Sequence, residues 1–589
     1  MVASVIYLLS WAFLGGGFLL YRKSMEKQQL FCWIPVSFIC VLCMDALFAA
    51  VMGFLHVPVS CLSIGIANLA VSVFFWYGIL KKGRRQQYTS RILDFIFAAV
   101  LFAAVFWCAC RQFGSEFSIR YLTIDPSVHL GYAMDIVNNQ SVSGMFFAQM
   151  NNAMFIQTFL PFLPSGFDAY KLFMIGDACM LYLSGLMFYA LVLRFCKTKF
   201  LHITGICLTL LYTLGYPLNN MLYGFIYLGV GVTVTAFLVF GAEHFLADKI
   251  DRKLSVLMLG LGMLALMLCY ILFVPVVMLG VFLCLTIGLA RKKELLKRRT
   301  LLDYAVIFLV PIILGLIYSY ANYFGEATGT TVGGAIALEG AIYRSLLSNF
   351  IIFMPFAVYA VLKMWKEKKN APAAAIFVLL LIFMAGMLFL GIKGKVSSYY
   401  FYKNYYLLSL FYYYLAFYGI CRLAEKSVRY LAAYFGVWIV LGGVAFTNLE
   451  ARINSVNPLF ATDVTVNDFF DIYLANKAFL DTGEGMETER IALYRYAAEN
   501  LDGSYIPNVD SYESRYWFES LTNWRVTEQQ ALLRKEQPGV WVESLLENKE
   551  IKYLLVIPAS ETASPYLAQF EQMPRVYENG FGYIVEKTW

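Results

Sequence analysis

The chain has 589 residues, is 60% hydrophobic and only 14% charged, and has a mean hydropathy of +0.64. Soluble domains run nearer about 25% charged, so the composition excludes an ordinary soluble protein and fits a polytopic membrane protein. The net charge of +7 divides into +17 over residues 1–447 and −10 over residues 448–589, and an acidic tail argues against nucleic acid as a partner.

No short apolar run with a small-residue cleavage site precedes the first hydrophobic segment, so that segment is expected to be a retained helix. A span needs roughly 20 apolar residues. By that rule, helices are predicted near 3–21, 30–55, 60–80, 92–110, 168–193, 199–215, 220–240, 254–269, 272–290, 301–320, 346–362, 373–392, 405–420 and 429–447. The run 254–290 lies between two basic clusters, Lys249/Arg252/Lys253 and Arg291–Arg299. A single span would put one cluster outside, so a hairpin near Tyr270–Pro275 is predicted. Alternate loops hold 27 Lys and Arg, whereas the opposite set holds 7. The rich set is therefore expected in the cytoplasm, which puts both termini, the loop 111–167 and the tail outside.

Other polar residues on the spans predict packing before chemistry. Asp45 and Asp177 are costly in lipid and are expected to face the bundle interior, paired. His56 and His202 are expected at the interface, and Glu243, beside His244, in water. Cys108 and Cys110 are too closely spaced for a zinc pair and read as packing residues. All 12 cysteines lie between Cys32 and Cys421, so the tail is not a disulfide-stapled module. Within the tail, NDFFDIYLANKAFL and ETERIALYRYAAENL carry helix periodicity, while KYLLVIP and GYIVEK read as strands. A small α/β domain over 448–589 is expected, with Trp517, Trp524 and Trp541 in its core or on a binding surface.

Two stretches carry candidate chemistry. The first is YLTIDPSVHLGYAMDIVNN, 121–139, just past the fourth span. Pro126 suits a first helical turn and Asp125 the cap before it, which gives one reading: an amphipathic interfacial helix with a capping acid. In the other, Asp125 is a partly desolvated carboxylate near His129 at the bilayer surface, suited to act as a base or a metal ligand. SVSGMFFAQMNNAMFIQTFLPFLP, 141–164, continues the half-buried character until Pro161 and Pro164 end it. The second stretch is GIKGKVSSYYFYKNYYLLSLFYYYLAFY, 391–418. It puts Lys393, Lys395 and Lys403 at the cation-poor end, and 12 of its last 20 residues are aromatic. It reads either as an aromatic belt with snorkelling lysines or as a lipid-phosphate grip. In the latter, Lys395, Lys403 and Arg344 bind phosphate while Tyr399, Tyr400 and Tyr402 line a sugar or lipid pocket.

The arrangement of a span, an outer loop with an early acid, an interfacial helix, many further spans and an outer soluble tail resembles the GT-C class of membrane glycosyltransferases. That class includes oligosaccharyltransferases, protein mannosyltransferases and bacterial arabinosyltransferases. The resemblance covers residues 92–589 and rests on Asp125 in IDPSVHLGYA with His129 four residues on. It leaves 1–91 as three extra N-terminal helices, 92–447 as the catalytic membrane module and 448–589 as the extracytoplasmic domain. It implies an inverting transfer from a polyprenyl-(di)phosphate sugar to an acceptor hydroxyl on an envelope glycan, lipid or protein, at the outer face of a bacterial plasma membrane. Asp125 would be the base and His129 its helper. A divalent cation, Mg or Mn, would fall to Asp125 with Glu326 or Glu339 if a metal takes part. The loop GYPLNN lacks the second acid that many members carry, which puts a two-acid metal site in doubt. The alternatives are a lipid-linked sugar flippase or transporter, and an envelope polysaccharide polymerase or ligase. No repeat between the halves and no matched pair of Gly/Pro-broken helices favours the transporter.

Overall fold

A computed structural model gives the structure of the protein and describes residues 2–142, 166–323, 339–344, 347–367, 371–447, 466–481, 483–501, 505–522 and 528–587. Most of the run 141–164, Glu326 and Trp524 lie outside the described residues.

Among the described residues the regular structure of the membrane part is helical apart from one short strand pair. In chain order come α1 (Val2–Leu20), α2 (Leu30–Phe54), α3 (Cys61–Leu80), α4 (Ile92–Phe113), α5 (Asp125–Asn139), α6 (Ala169–Leu193), α7 (Lys199–Leu214), α8 (Tyr216–Tyr223), α9 (Ile226–Leu246), α10 (Arg252–Cys269) and α11 (Val274–Arg291). Then follow α12 (Arg298–Tyr304), α13 (Val310–Tyr323), α14 (Met354–Lys366), α15 (Pro372–Ile392), α16 (Ser398–Ala424) and α17 (Val428–Thr447). Thirteen helical stretches among the described residues are long and apolar enough to cross a bilayer, and this is a multi-pass membrane protein. The predicted reversal falls at Tyr270, where α10 ends and a single turn, Ile271–Phe273, leads into α11.

The segment expected to form a span over 346–362 is instead broken into a turn, Leu347–Phe350, and the 13-residue α14. Pro355 lacks an N–H and suits the first turn of a helix, so α14 starts there. The backbone groups freed at the break are met by phenols of neighbouring helices. Tyr412 accepts from Phe353 N at 2.7 Å and donates to the Phe350 carbonyl, and Tyr434 donates to that of Ile352. Irregular backbone at membrane depth is tolerated on that condition.

Helices α9 and α16 are buried around almost their whole circumference, whereas α1, α4 and α17 keep broad apolar faces exposed, as lipid-facing helices do. The cation-rich loops meet at one end of the bundle. Gln28–Gln29 (β1) pairs in parallel with Tyr88–Thr89 (β2), Asp251 N bonds the Lys23 carbonyl at 2.7 Å, and Arg91 reaches the Cys196 carbonyl at 2.9 Å. Arg252 binds Asp303 at 2.7 Å and Glu294 at 3.0 Å. The cation-poor loops meet at the other end. There Val59 N bonds Gln140 O at 2.7 Å, and Tyr343 Oη donates to Asp471 at 2.5 Å. The two loop sets read from charge are thus two physical ends.

Interior polar residues correct two expectations. His202 is buried, with Nε2 3.0 Å from Asp94 and 2.7 Å from Tyr189 Oη, because Asp94 sits on the facing turn of α4. Glu243 is half-buried in the wall of a cleft and not simply solvated; Arg194 and Tyr414 converge on it, so its charge has a counter-ion. Asp45 faces the interior as expected, but its partners are neutral. Tyr7 at 2.7 Å and Trp11 at 2.8 Å donate to one oxygen and Asn68 at 2.8 Å to the other, which joins α1, α2 and α3.

The tail contains α18 (Asp471–Asp481), α19 (Thr488–Asn500), α20 (Tyr512–Thr522), α21 (Glu528–Glu536) and α22 (Pro538–Glu547). A four-stranded sheet is formed by β3 (Asn508–Val509), β4 (Tyr553–Val556), β5 (Arg575–Glu578) and β6 (Tyr583–Glu586); α19 and α22 pack on it, whereas α18 lies against α4 and α8, and α20 against α5. The order is β3-β4-β6-β5, with β3 and β4 parallel and the rest antiparallel. Both helices and both strands read from the tail sequence are present. Trp541 is core, and Trp517 is buried at the seam with the membrane part.

Asp45→Ala is expected to remove the acceptor shared by Tyr7, Trp11 and Asn68 and to destabilise the α1–α3 unit by about 1–3 kcal/mol, read as a lowered thermal midpoint in detergent. An unchanged midpoint would contradict that role.

Candidate functional site

The site forms where α5 lies against the start of α9 and the first turns of α16. Ile124 occupies the capping position of α5 and makes no side-chain cap bond; Asp125 is the first helical residue, with Pro126 behind it. Asp125 is therefore not the cap. No hydrogen bond to its carboxylate is found among the described residues, although the residue is half-buried. Burial raises its pKa above the usual carboxylate range, while the Lys403 ammonium pulls it back down.

Lys403, 278 positions later in the chain, is the partner that this geometry supplies. It is 4% exposed and donates to Tyr227 Oη at 3.0 Å. Its Nζ lies 4.0 Å from the ring centre of Tyr399, 5.1 Å from Phe225, 5.2 Å from Tyr227, 5.5 Å from Tyr400 and 6.0 Å from Tyr270. Such π faces hold a desolvated cation, and an ammonium has three donors, so two of them have no partner among the described residues. Asp125 and Lys403 feel each other's charge, and Tyr227 and Tyr399 feel that of Asp125, but no closed ion pair joins the acid and the ammonium.

His129, one turn beyond Asp125, stands edge-on to Tyr227 at 4.7 Å. Its Nδ1 is buried without a partner among the described residues. Burial first, and then Lys403, push its pKa down to about 3, so the ring is neutral near pH 7.

Several contacts fix the position of α5. Leu122 N bonds Leu222 O at 2.9 Å, and Thr123 Oγ1 donates to Tyr223 O at 3.0 Å. Gly224, between α8 and α9, has a φ of +72°, and a methyl group there would collide with Pro126 and Tyr121, so glycine is required twice over. Tyr121 donates to Asp177 at 3.1 Å and stacks on Trp517 of α20 at 5.9 Å, while Ser520 Oγ bonds the Ser127 carbonyl at 2.5 Å. The tail thus grips the helix that carries Asp125.

The other predicted residues divide. Arg344 donates to Glu339 at 2.7 Å and to Gly340 O at 3.0 Å, within electrostatic reach of Tyr402 and Tyr223. Glu339 also accepts from Ser398 N at 2.8 Å, a carboxylate placed at the N-terminus of α16 where the helix dipole favours it. Tyr399, Tyr400 and Tyr402 lie on the first turns of α16, the first two over the ammonium. Lys395 is exposed in the turn before α16, and no described contact brings it to Asp125 or Lys403. Among the described residues no group of three His, Cys, Asp or Glu could hold a metal ion. Of the acids named for a metal, Asp125 has the Lys403 ammonium within electrostatic reach and Glu339 is bonded to Arg344 and Ser398, while Glu326 lies outside the described residues. Tyr227, Phe225 and Tyr270 were not singled out from sequence; the only signal was that several aromatics sit at the ends of α9 and α10.

No family model and no curated protein matches the chain. Among the solved structures similar to it are two of an archaeal oligosaccharyltransferase. One is the archaeal oligosaccharyltransferase AglB from Archaeoglobus fulgidus in complex with an inhibitory peptide and a dolichol-phosphate, with 13% identity, 84% of this chain and 74% of that chain covered, and a TM-score of 0.37. The other is the Archaeoglobus fulgidus oligosaccharyltransferase in the apo form, with 12% identity, the same coverage and a TM-score of 0.38. These are likenesses of overall architecture, at identities too low to carry residue roles across.

The His129 environment makes a pH prediction. The folded pKa, about 3, lies below the ordinary 6.5, so the unfolded chain binds a proton that the folded chain refuses. Stability should therefore fall as pH drops below about 6.5, until about pH 3 is reached. His129→Gln should flatten that part of the thermal-midpoint profile; an unchanged profile would contradict the assignment.

Proposed function

We propose that this protein transfers a sugar from a polyprenyl-phosphate or polyprenyl-diphosphate donor to an acceptor hydroxyl at the outer face of a bacterial plasma membrane. The single observation that carries the reading is the pairing of Asp125 with Lys403 in one aromatic-walled site without a closed ion pair. Among the described residues no donor sits on this carboxylate, which suits it to take a proton, and two N–H groups of the ammonium have no partner, which suits it to hold a phosphate. The cation-poor end that bears the site is read as the outer one, so both termini face out. Nucleotide sugars are made in the cytosol, which is why a lipid-borne donor suits an outward-facing transferase.

In the proposed step the acceptor hydroxyl gives its proton to Asp125 as its oxygen bonds the anomeric carbon. The glycosidic C–O bond breaks on the opposite side, and its electron pair leaves on the phosphate oxygen. Lys403 offsets the charge growing there, in surroundings where a fixed cation counts for more than in water. One displacement inverts the anomeric centre. The neutral His129 beside Asp125 orients without adding a second positive charge. Arg344 is held near Tyr402 by Glu339 and bounds the phosphate side of the site.

Asp125→Asn should lower transfer from a lipid-linked sugar by roughly 10²–10⁴-fold with the thermal midpoint preserved, the usual worth of a general base. Lys403→Met should raise the donor KM as well as lower kcat. Full transfer by folded Asp125→Asn would remove the base assignment.

A further inference from the structure

A second cleft lies at the same end of the molecule, between the tail and the membrane part, and has a volume of about 430 Å³. One wall is the tail: α19 contributes Tyr496, Glu499 and Asn500, and β5 contributes Tyr577. The other wall is Glu116 and Ser118, from the segment after α4, together with Tyr170 and Lys171 at the start of α6. The seam is built and tied. Ser118 Oγ donates to Met486 O at 2.8 Å, Met486 N to Ile119 O at 2.9 Å, and Thr488 Oγ1 to Glu116 at 3.1 Å. Arg495 spans the cleft floor to Asp168 at 2.8 Å and also holds Glu499 at 3.2 Å.

We propose that this cleft binds a neutral saccharide chain, and that it is the acceptor's docking site. The lining itself excludes other ligands. Its two cations, Lys171 and Arg495, meet two acids, Glu116 and Glu499, and both cations are already held by Asp168, so no excess charge calls for a phosphate or an acidic polymer. Its apolar lining is aromatic more than aliphatic, with no greasy channel for a lipid tail. Tyr496 and Tyr577 stack at 4.1 Å and 15°, each bracing the other and presenting a rigid edge of ring and hydroxyl. Both rings are half-buried, and Glu499 and Asn500 beside them are exposed. Rings that offer an apolar surface and a polar tip, flanked by carboxylates, an amide and hydroxyls, match the two kinds of surface on a sugar ring. The volume lies within the usual range for small-molecule sites.

The acceptor role rests on the sugar-transfer reading, but the binding does not, so the two fail separately. The test uses the full chain in lipid nanodiscs and saturation-transfer NMR against neutral oligosaccharides of three to six hexose or pentose units, with neutral and basic hexapeptides as competitors. The expected result is binding by at least one oligosaccharide, weakened about tenfold in Tyr577→Ala and also in Asn500→Ala, with the peptides silent. Asn500 is exposed, so its variant tests the cleft even if Tyr577→Ala fails to fold. Binding by peptides alone, by no probe, or by an oligosaccharide unaffected in folded Asn500→Ala and Tyr577→Ala would overturn the proposal. Saccharide binding that persists without transfer activity would leave the cleft standing and remove only the acceptor role.

Discussion

A buried ammonium facing a carboxylate that it does not quite reach is the feature on which this architecture depends. Lys403 sits in a cage of aromatic rings inside a helix buried nearly all round, where an unpaired charge would be expensive. The π faces, one phenol at 3.0 Å and the field of Asp125 together keep it there. A closed salt bridge would consume both charges. An open arrangement holds them at readiness, at the cost of a buried ammonium and a half-buried carboxylate that the surrounding packing keeps in place.

That packing comes from three separate parts of the chain. The junction between α8 and α9 supplies a glycine against which Pro126 and Tyr121 press, Asp177 of α6 anchors the Tyr121 hydroxyl, and α20 of the tail stacks Trp517 on the same ring. The tail is therefore a structural part of the site as well as one wall of the second cleft. Asp177 works on the geometry of α5, whereas Asp45 works on the cohesion of the first three helices. Neither uses a lysine as partner, because phenol, indole and amide donors suffice for a carboxylate without bringing a second charge into lipid.

Much of the fold was legible in the residues. The sorting of 27 cations against 7 separated the loops into the two sets that the structure brings together at opposite ends, since charge distribution among loops is a one-dimensional record of sidedness. Basic clusters on both flanks of 254–290 located the reversal at Tyr270 for the same reason. Length and hydropathy could not reveal the break before α14, because the phenols that repair it, Tyr412 and Tyr434, come from helices about sixty to eighty positions further on. His202 and Glu243 were misplaced at the surface because span ends read as wet when their partners, Asp94 and Arg194, are not visible as neighbours.

By itself the sequence determined the membrane class, the loop sets, the α/β tail and the presence of an acid and a lysine in unusual company, all properties of local composition and period. Only the tertiary structure decided that Asp125 is not a helix cap, that Lys403 and not Lys395 faces it, and that Glu339 serves α16 and Arg344. Those outcomes depend on contacts between residues tens to hundreds of positions apart, and neither hydropathy nor charge order along a chain encodes which distant side chains share one volume.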